Sequence, residues 1–304
     1  MTAAPEVSVL IPAFNAAAFI EKTLESVRAQ TYRDFEIVVT DDGSTDGTHA
    51  VVEGWLKRQG LRGRCVRQEN KRIAAARNTA MRESQGAFLA FLDHDDLWYP
   101  DKLEVVMREF REHPEADLVG HSENIVQDGR VLEVKHYGPW VEGMYERLLF
   151  KGNALSPSST TVRRAKALSV GGFREDPEFN TVEDYDYWMR LSRVAVFRFI
   201  GRVLGEYQVV ERAASRKVEY HHSNLEALLR DHFAALYGEA PDFPARLRMR
   251  RRLSAVYRSA LGQLMRQGED AALQKAYALR MLRAFPFEPK NLARAALWAL
   301  GFAR

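Results

Sequence analysis

Two stretches of the sequence each place three carboxylates within four residues: Asp93-His94-Asp95-Asp96 and Glu183-Asp184-Tyr185-Asp186. Like charges this close repel unless a cation or solvent compensates them. Hard divalent cations take oxygen ligands and leave positions open for phosphate oxygens. The run at 93–96 therefore suits Mg2+ or Mn2+ bridging the chain to a diphosphate, and equally a solvated acidic loop before the helix that begins near Pro100. In the second stretch a helix over Glu183–Leu191 would put Asp184, Trp188 and Leu191 on one face. Asp184 would then lie in the first turn, where the helix dipole favours an ionised carboxylate. That placement suits a general base and also ordinary dipole complementation. Two further polar runs are Pro12-Ala13-Phe14-Asn15 and Asp41-Asp42-Gly43-Ser44-Thr45-Asp46. In the latter, Gly43 permits a tight turn and Ser44 or Thr45 can cap a following helix, while an aspartate remains able to contact a ligand. Phe14 can stack on a base or join the core.

The elements that must hold these residues are short apolar runs alternating with helical patterns. Val7–Ile11, Phe35–Val39, Cys65–Val66, Ala87–Leu92 and Asp117–Gly120 read as strands. Between them Ile20, Leu24 and Val27 share a helical face, as do Leu103, Val106, Met107 and Phe110. This alternation predicts an α/β fold with a largely parallel sheet covered on both faces. The runs at 12–15, 41–46 and 93–96 each follow a strand directly. In a parallel sheet they share the carboxyl edge, where open α/β sheets bind ligands. No G-x-G-x-x-G follows the first strand, no P-loop is present, and no Cys/His spacing suits zinc.

Residues 121–215 read as an α+β continuation of the same domain. Asp128-Gly129 marks a hairpin turn, Val141–Phe150 and Val182–Arg193 read as helices, and Val194–Ile200 and Val203–Val210 as two strands. Beyond 220 the pattern is helical, through Leu225, Leu228 and Leu229, then Leu247–Met265, Ala271–Leu282 and Leu292–Leu300, with Gly268 and Pro286 as punctuation. A catalytic domain over 1–215 and a basic helical region over 216–304 are expected. The net charge of +3 hides a split, because residues 241–304 hold 11 Arg and 2 Lys against 4 acids. The basic region, with Arg246, Arg248 and Arg250–Arg252 crowded together, suits an anionic membrane surface or a solvated helical face. An apolar content of 46% excludes disorder, and a single cysteine, Cys65, excludes an internal disulfide. No leader pattern or run of about 18 apolar residues is seen. A cytoplasmic protein is expected, able to lie at the inner face of a membrane and without a nucleic-acid partner.

Together these segments resemble the inverting glycosyltransferases of family 2, which have the GT-A (Rossmann-like) fold. The resemblance rests on Val7–Asn15 (VSVLIPAFN), Ile37–Asp46 (IVVTDDGSTD), Ala74–Asn78 (AAARN), Phe91–Leu103 (FLDHDDLWYPDKL), Gly171–Phe173 (GGF) and Glu183–Leu191 (EDYDYWMRL), in the family's order. It implies a nucleotide-diphospho-sugar donor, a saccharide or lipid-linked acceptor, and transfer with inversion. Carried over by position, Pro12, Phe14, Asn15, Asp41 and Arg72 line the nucleoside pocket. Asp93 faces the ribose or diphosphate, Asp95 ligates Mn2+ or Mg2+, and Asp184 is the base. Glu183 and Trp98 stand on the acceptor side, with the loop Gly152–Ser159 as a further candidate for its wall. His94 stands where a small residue is common and Phe14 where tyrosine is common. The Q-x-x-R-W signature of processive synthases is absent, which favours transfer of single sugars in cell-surface polysaccharide or glycolipid synthesis. A sugar-phosphate nucleotidyltransferase would show a glycine-rich basic loop after the first strand. A non-catalytic nucleotide-binding or scaffold protein would be free to lose Asp95 or Asp184, and both are present.

Overall fold

Uniformly apolar runs become strands buried on both faces, which is how parallel strands flanked by helices read. In the computed structural model, which describes residues 4–209 and 217–301, β1 (Val7–Ala13) and β2 (Phe35–Asp41) are buried at every position. β2 is parallel to β1 and β3 (Gly63–Arg67) parallel to β2, while β4 (Phe88–Phe91) runs parallel to β1 on its other side. The helices α1 (Ile20–Arg28), α2 (Thr48–Gln59), α3 (Arg72–Glu83) and α4 (Lys102–Glu112) follow successive strands. Ile20, Leu24 and Val27 of α1 and Leu103, Val106, Met107 and Phe110 of α4 are buried, as their spacing requires.

Beyond β4 the sheet changes character. β8 (Thr160–Arg163) is antiparallel to both β4 and β6 (Leu118–Gln127). β6 pairs in parallel with β9 (Phe197–Gln208) and forms a hairpin with β7 (Arg130–Lys135). The expected Asp128-Gly129 turn closes that hairpin, with positive φ at both residues, as a two-residue primed turn requires. The two-residue β5 (Leu97–Trp98) pairs with β9, and the strand order is β3-β2-β1-β4-β8-β6-β9-β5. The two strands expected over 194–210 are one element, β9, whose pairing slips in register opposite Ser122. Its expected end at Val210 lies outside the described residues, as does the expected domain boundary at 215/216.

The chain divides into two compact units. The first comprises Met1–Tyr145, Asn153–Glu175 and Glu183–Val210, and the second Glu146–Gly152, Asp176–Val182 and Glu211–Arg304. The first holds the sheet, and also α6 (Arg164–Ser169) and α7 (Glu183–Leu191). The second holds most of α5 (Met144–Lys151), a 3-10 turn (Pro177–Phe179), and four helices. These are α8 (Val218–Tyr237), α9 (Phe243–Gln267), α10 (Ala271–Ala284) and α11 (Pro289–Ala299). No helix among the described residues is long and apolar enough to cross a membrane.

Candidate active site

Because β1, β2 and β4 are parallel neighbours, the three loops that leave them lie at one edge of the first unit's sheet. The first two are stitched together. The Asn15 amide donates to Ser44 Oγ (2.9 Å), Asn15 Oδ1 accepts from the Thr45 amide (2.9 Å), and the Ala16 amide donates to Thr48 Oγ1 (2.8 Å). Asn15 therefore shapes the pocket by bracing loops, while Phe14 leaves its ring 45% exposed beside it. Gly43 has φ +77°, and a Cβ there would meet the Asn70 backbone nitrogen at 2.8 Å, so the turn requires glycine. Asp41 is fully buried. Its Oδ1 accepts from the Ser44 amide (3.0 Å), while its Oδ2 has no hydrogen-bond donor among the described residues and lies 3.6 Å from Arg67 Nε. A buried carboxylate oxygen without a donor suits a ligand N–H or O–H. Pro12 contributes its carbonyl, which contacts His94 Nδ1 at 2.9 Å. The His94 ring also stacks on Phe19, so it is committed to this wall. Arg72 is exposed at the start of α3, with φ +71°.

The carboxylates at 93–96 have three different fates. Asp96 is buried and accepts from Ser158 Oγ (2.5 Å) and the Gln208 amide (2.8 Å), a structural tie that burial and its acidic neighbours push well above the usual carboxylate range. Asp93 accepts at Oδ1 from Arg77 (2.8 Å), and its amide donates to Ser158 Oγ (3.0 Å). Asp95 receives no side-chain hydrogen bond among the described residues, and burial with Asp93 nearby raises it against the pull of His94. An open carboxylate of this kind fits a hard cation whose remaining ligands are phosphate oxygens and water, since such ions use one or two protein carboxylates.

Asp184 opens α7. The rest of that helix is anchored in the core, where Tyr187 stacks on Phe173 with centroids 4.1 Å apart and Trp188 meets Phe91 edge-on. Arg190 donates to the carbonyls of Val170 and Gly172 and to Asp186. The 171–173 turn is fixed in its turn by Asn78, whose Oδ1 accepts from the Phe173 amide and whose Nδ2 donates to the Phe173 carbonyl, both at 2.8 Å. A Cβ at Gly172 (φ +80°) would sit 2.6 Å from that Oδ1. Asp184 Oδ2 accepts a long bond from Asn153 (3.3 Å). Burial, then the neighbouring Glu183, push its carboxyl up to about 7 against the pull of Arg77.

Arg77 is the side chain that sequence reasoning missed. It is 2% exposed and donates to Glu183 Oε1 (2.6 Å) and to Asp93 Oδ1 (2.8 Å). One guanidinium thus spans from the acidic run after β4 to the start of α7. Glu183, expected on the acceptor side, is buried in this ion pair. Trp98, also expected there, is 3% exposed, belongs to the core, and donates from Nε1 to the Ser158 carbonyl (2.7 Å). The Lys102 ammonium lies over that ring, 3.7 Å from its centroid, and a ring this buried has no face open to a sugar. Tyr207 of β9 was also missed; burial and then Asp96, Asp93, Asp95 and Asp184 push its phenol up, so it stands among the same carboxylates. The signal available for Arg77 was the AAARN segment, which carries no mark of which residue 77 would pair with.

Residues 8–168 match the model of the family described as Glycosyl transferase family 2. The chain belongs to glycosyl transferase family 2. It is 32% identical over 201 residues to the chondroitin synthase of Escherichia coli, a match that covers 66% of this chain and 28% of that protein's length. It is 30% identical over 218 residues to the amylovoran biosynthesis glycosyltransferase AmsB of Erwinia amylovora, covering 69% of this chain and 71% of that one. Among solved structures it resembles the mannosyltransferase PcManGT of Pyrobaculum calidifontis in complex with GDP-Man and Mn2+. That likeness has a TM-score of 0.59 at 22% identity, over 99% of this chain and 86% of the other. The α/β fold of this family is thus the fold of the chain, with its sheet parallel through β1–β4 and mixed beyond.

The basic region of this family 2 chain is largely engaged within its own unit. Arg248 pairs with Glu146 (2.7 Å) and lies over the Phe150 ring. Arg250 donates to the carbonyls of Arg283 and Ala284 at the end of α10, Arg251 pairs with Glu288, and Arg252 donates to the Leu149 carbonyl. Arg250 and Arg252 thereby cap the carboxyl ends of α10 and α5, where a cation complements the dipole, whereas Arg248 and Arg251 are held by carboxylates.

Proposed function

We propose that this family 2 enzyme moves a single sugar from a nucleotide-diphospho-sugar to an acceptor hydroxyl with inversion, in the synthesis of a bacterial-type cell-surface polysaccharide or glycolipid. The observation that carries the reading is the Arg77 bridge, which holds the donor-side carboxylate Asp93 and the start of the base helix within the span of one guanidinium. Asp41 and the braced loop at Phe14 and Asn15 would hold the nucleoside, and Asp93 the ribose or diphosphate. Asp95 would hold Mn2+ or Mg2+. Such a cation neutralises the departing diphosphate. A nucleoside diphosphate so neutralised needs no protein acid, unlike the leaving group of a glycosidase. Asp184 then has one task, to take the proton from the acceptor hydroxyl as it attacks opposite the leaving group. The polysaccharide reading is supported by the similarity to a chondroitin synthase and to an amylovoran biosynthesis glycosyltransferase, and the metal by the Mn2+ in the PcManGT complex.

A base must be ionised to accept a proton. With Asp184 near 7, kcat/KM should be full above that pH and fall about tenfold per unit below it. A profile flat from pH 8 to about pH 5 would remove Asp184 from the role.

The nucleotide and metal assignments are tested together by thermal unfolding with each nucleoside diphosphate, with Mn2+ or with chelator. A ligand at about a hundred times its Kd stabilises by about 2.7 kcal/mol. One base is expected to raise the Tm by several degrees in the presence of metal. Asp95→Asn should lose the metal-dependent part and keep the unliganded Tm. A shift that persists in chelator, or in Asp95→Asn with metal, would count against Asp95 as ligand.

A further inference from the structure

The last helix, α11, turns an apolar side to solvent. Two of its polar side chains, Asn291 and Arg294, face the protein. Asn291 is fully buried, donates to Ser254 Oγ (2.5 Å) and the Phe285 carbonyl (2.7 Å), and accepts from Arg258 (2.7 Å). The Arg294 guanidinium lies against Gly262 of α9. The outward side is apolar. Leu292 is 56% exposed and Leu300, just past the helix end, 69%, with Ala293, Ala296 and Ala299 exposed between them. At 100° per residue these five fall on one continuous arc. Phe287, in the turn that leads into the helix, adds a ring that is 82% exposed. A soluble helix places these residues the other way round, because apolar surface left in water forgoes the burial that stabilises a fold.

The charge around this face identifies what covers it. Residues 271–301 carry Lys275, Arg280, Arg283, Lys290 and Arg294 against one acid, Glu288. Glu288 is already paired with Arg251 (2.8 Å), whereas Lys275, Arg280, Arg283 and Lys290 are exposed. An exposed apolar helix face in a segment whose exposed cations outnumber its acids is the pattern of an element lying in the plane of an anionic lipid surface. At 11 residues α11 is about 16 Å long, too short to span a bilayer and long enough to rest in its interface. We infer that α11 and the Phe287 turn form an interfacial membrane-docking surface, in which Phe287, Leu292 and Leu300 enter the acyl boundary and Lys290 and Arg283 meet anionic headgroups.

The experiment is flotation of the full chain with vesicles of phosphatidylcholine alone or with phosphatidylglycerol added, alongside its sedimentation behaviour without lipid. Wild-type protein should float with the anionic vesicles. Leu292→Glu/Leu300→Glu should reduce that binding at least tenfold and keep the Tm, since both side chains are already in solvent. Lys290→Gln and Arg283→Gln should each weaken it roughly fivefold at low salt, in line with about 1 kcal/mol per cation near such a surface. Absence of vesicle binding would overturn the assignment, as would binding undiminished in the double variant. Concentration-dependent self-association abolished by Leu292→Glu would overturn it in favour of a second copy of the chain.

Discussion

Asp184→Asn is expected to lower kcat by roughly 10²–10⁴-fold, the scale of general-base catalysis, while nucleotide binding stays within about twofold. Asparagine keeps the size of the side chain and an oxygen for the bond from Asn153, so the geometry of α7 is retained. What it loses is the ability to take a proton. The substitution should also leave the Tm unchanged or slightly raised at pH 8. It removes a carboxylate that burial and Glu183 oppose in its charged form, and relief of that opposition favours the fold. A loss of function without loss of stability is the signature that separates a base from a structural carboxylate. Single-turnover transfer within a few-fold of wild type would exclude Asp184 as the base. A Tm lowered by several degrees would instead assign the carboxylate to the structure.

Arg77→Met should have the largest effect on stability. It removes the partner of two carboxylates, one of them, Glu183, buried. Breaking a buried ion pair by deleting one member costs about 3–5 kcal/mol, because the remaining charge stays desolvated and uncompensated. For a chain of this size that corresponds to a fall in Tm of roughly 10 °C. Arg77→Lys keeps the charge but has no planar fork to reach two carboxylates at once, so its stability should fall in between. Its transfer rate should nevertheless drop by at least tenfold, because Asp93 and α7 lose their common tether. An Arg77→Lys enzyme with wild-type kcat and KM would show that the bridge serves folding alone.

The strands β1, β2 and β4, and the edge their loops share, follow from the sequence because the information is local. Apolar runs of five to seven residues alternate with helical periods, and parallel pairing of consecutive β-α units then leaves one choice of edge. The turn at Gly43, the hairpin at Asp128-Gly129 and the start of α7 at Glu183 were legible for the same reason. The antiparallel β8 was not, since Thr160–Arg163 has neither a long apolar run nor clear alternation and is held by its neighbours on both sides. The pairing within the carboxylate runs belongs to the tertiary structure. Asp93, Asp95 and Asp96 are nearly indistinguishable in sequence, yet Arg77 takes the first, Ser158 and the Gln208 amide take the third, and Asp95 is left open. Trp98 and Glu183 were as plausible at the acceptor as in the interior, and packing placed both inside. The sequence by itself determined the strands and the shared edge at which the polar runs gather, because apolar runs and helical periods are local, and its motifs carried the family resemblance. Only the tertiary structure decided which carboxylate is paired and which is left open, because desolvation and pairing depend on residues as far away in the chain as Arg77 is from Glu183.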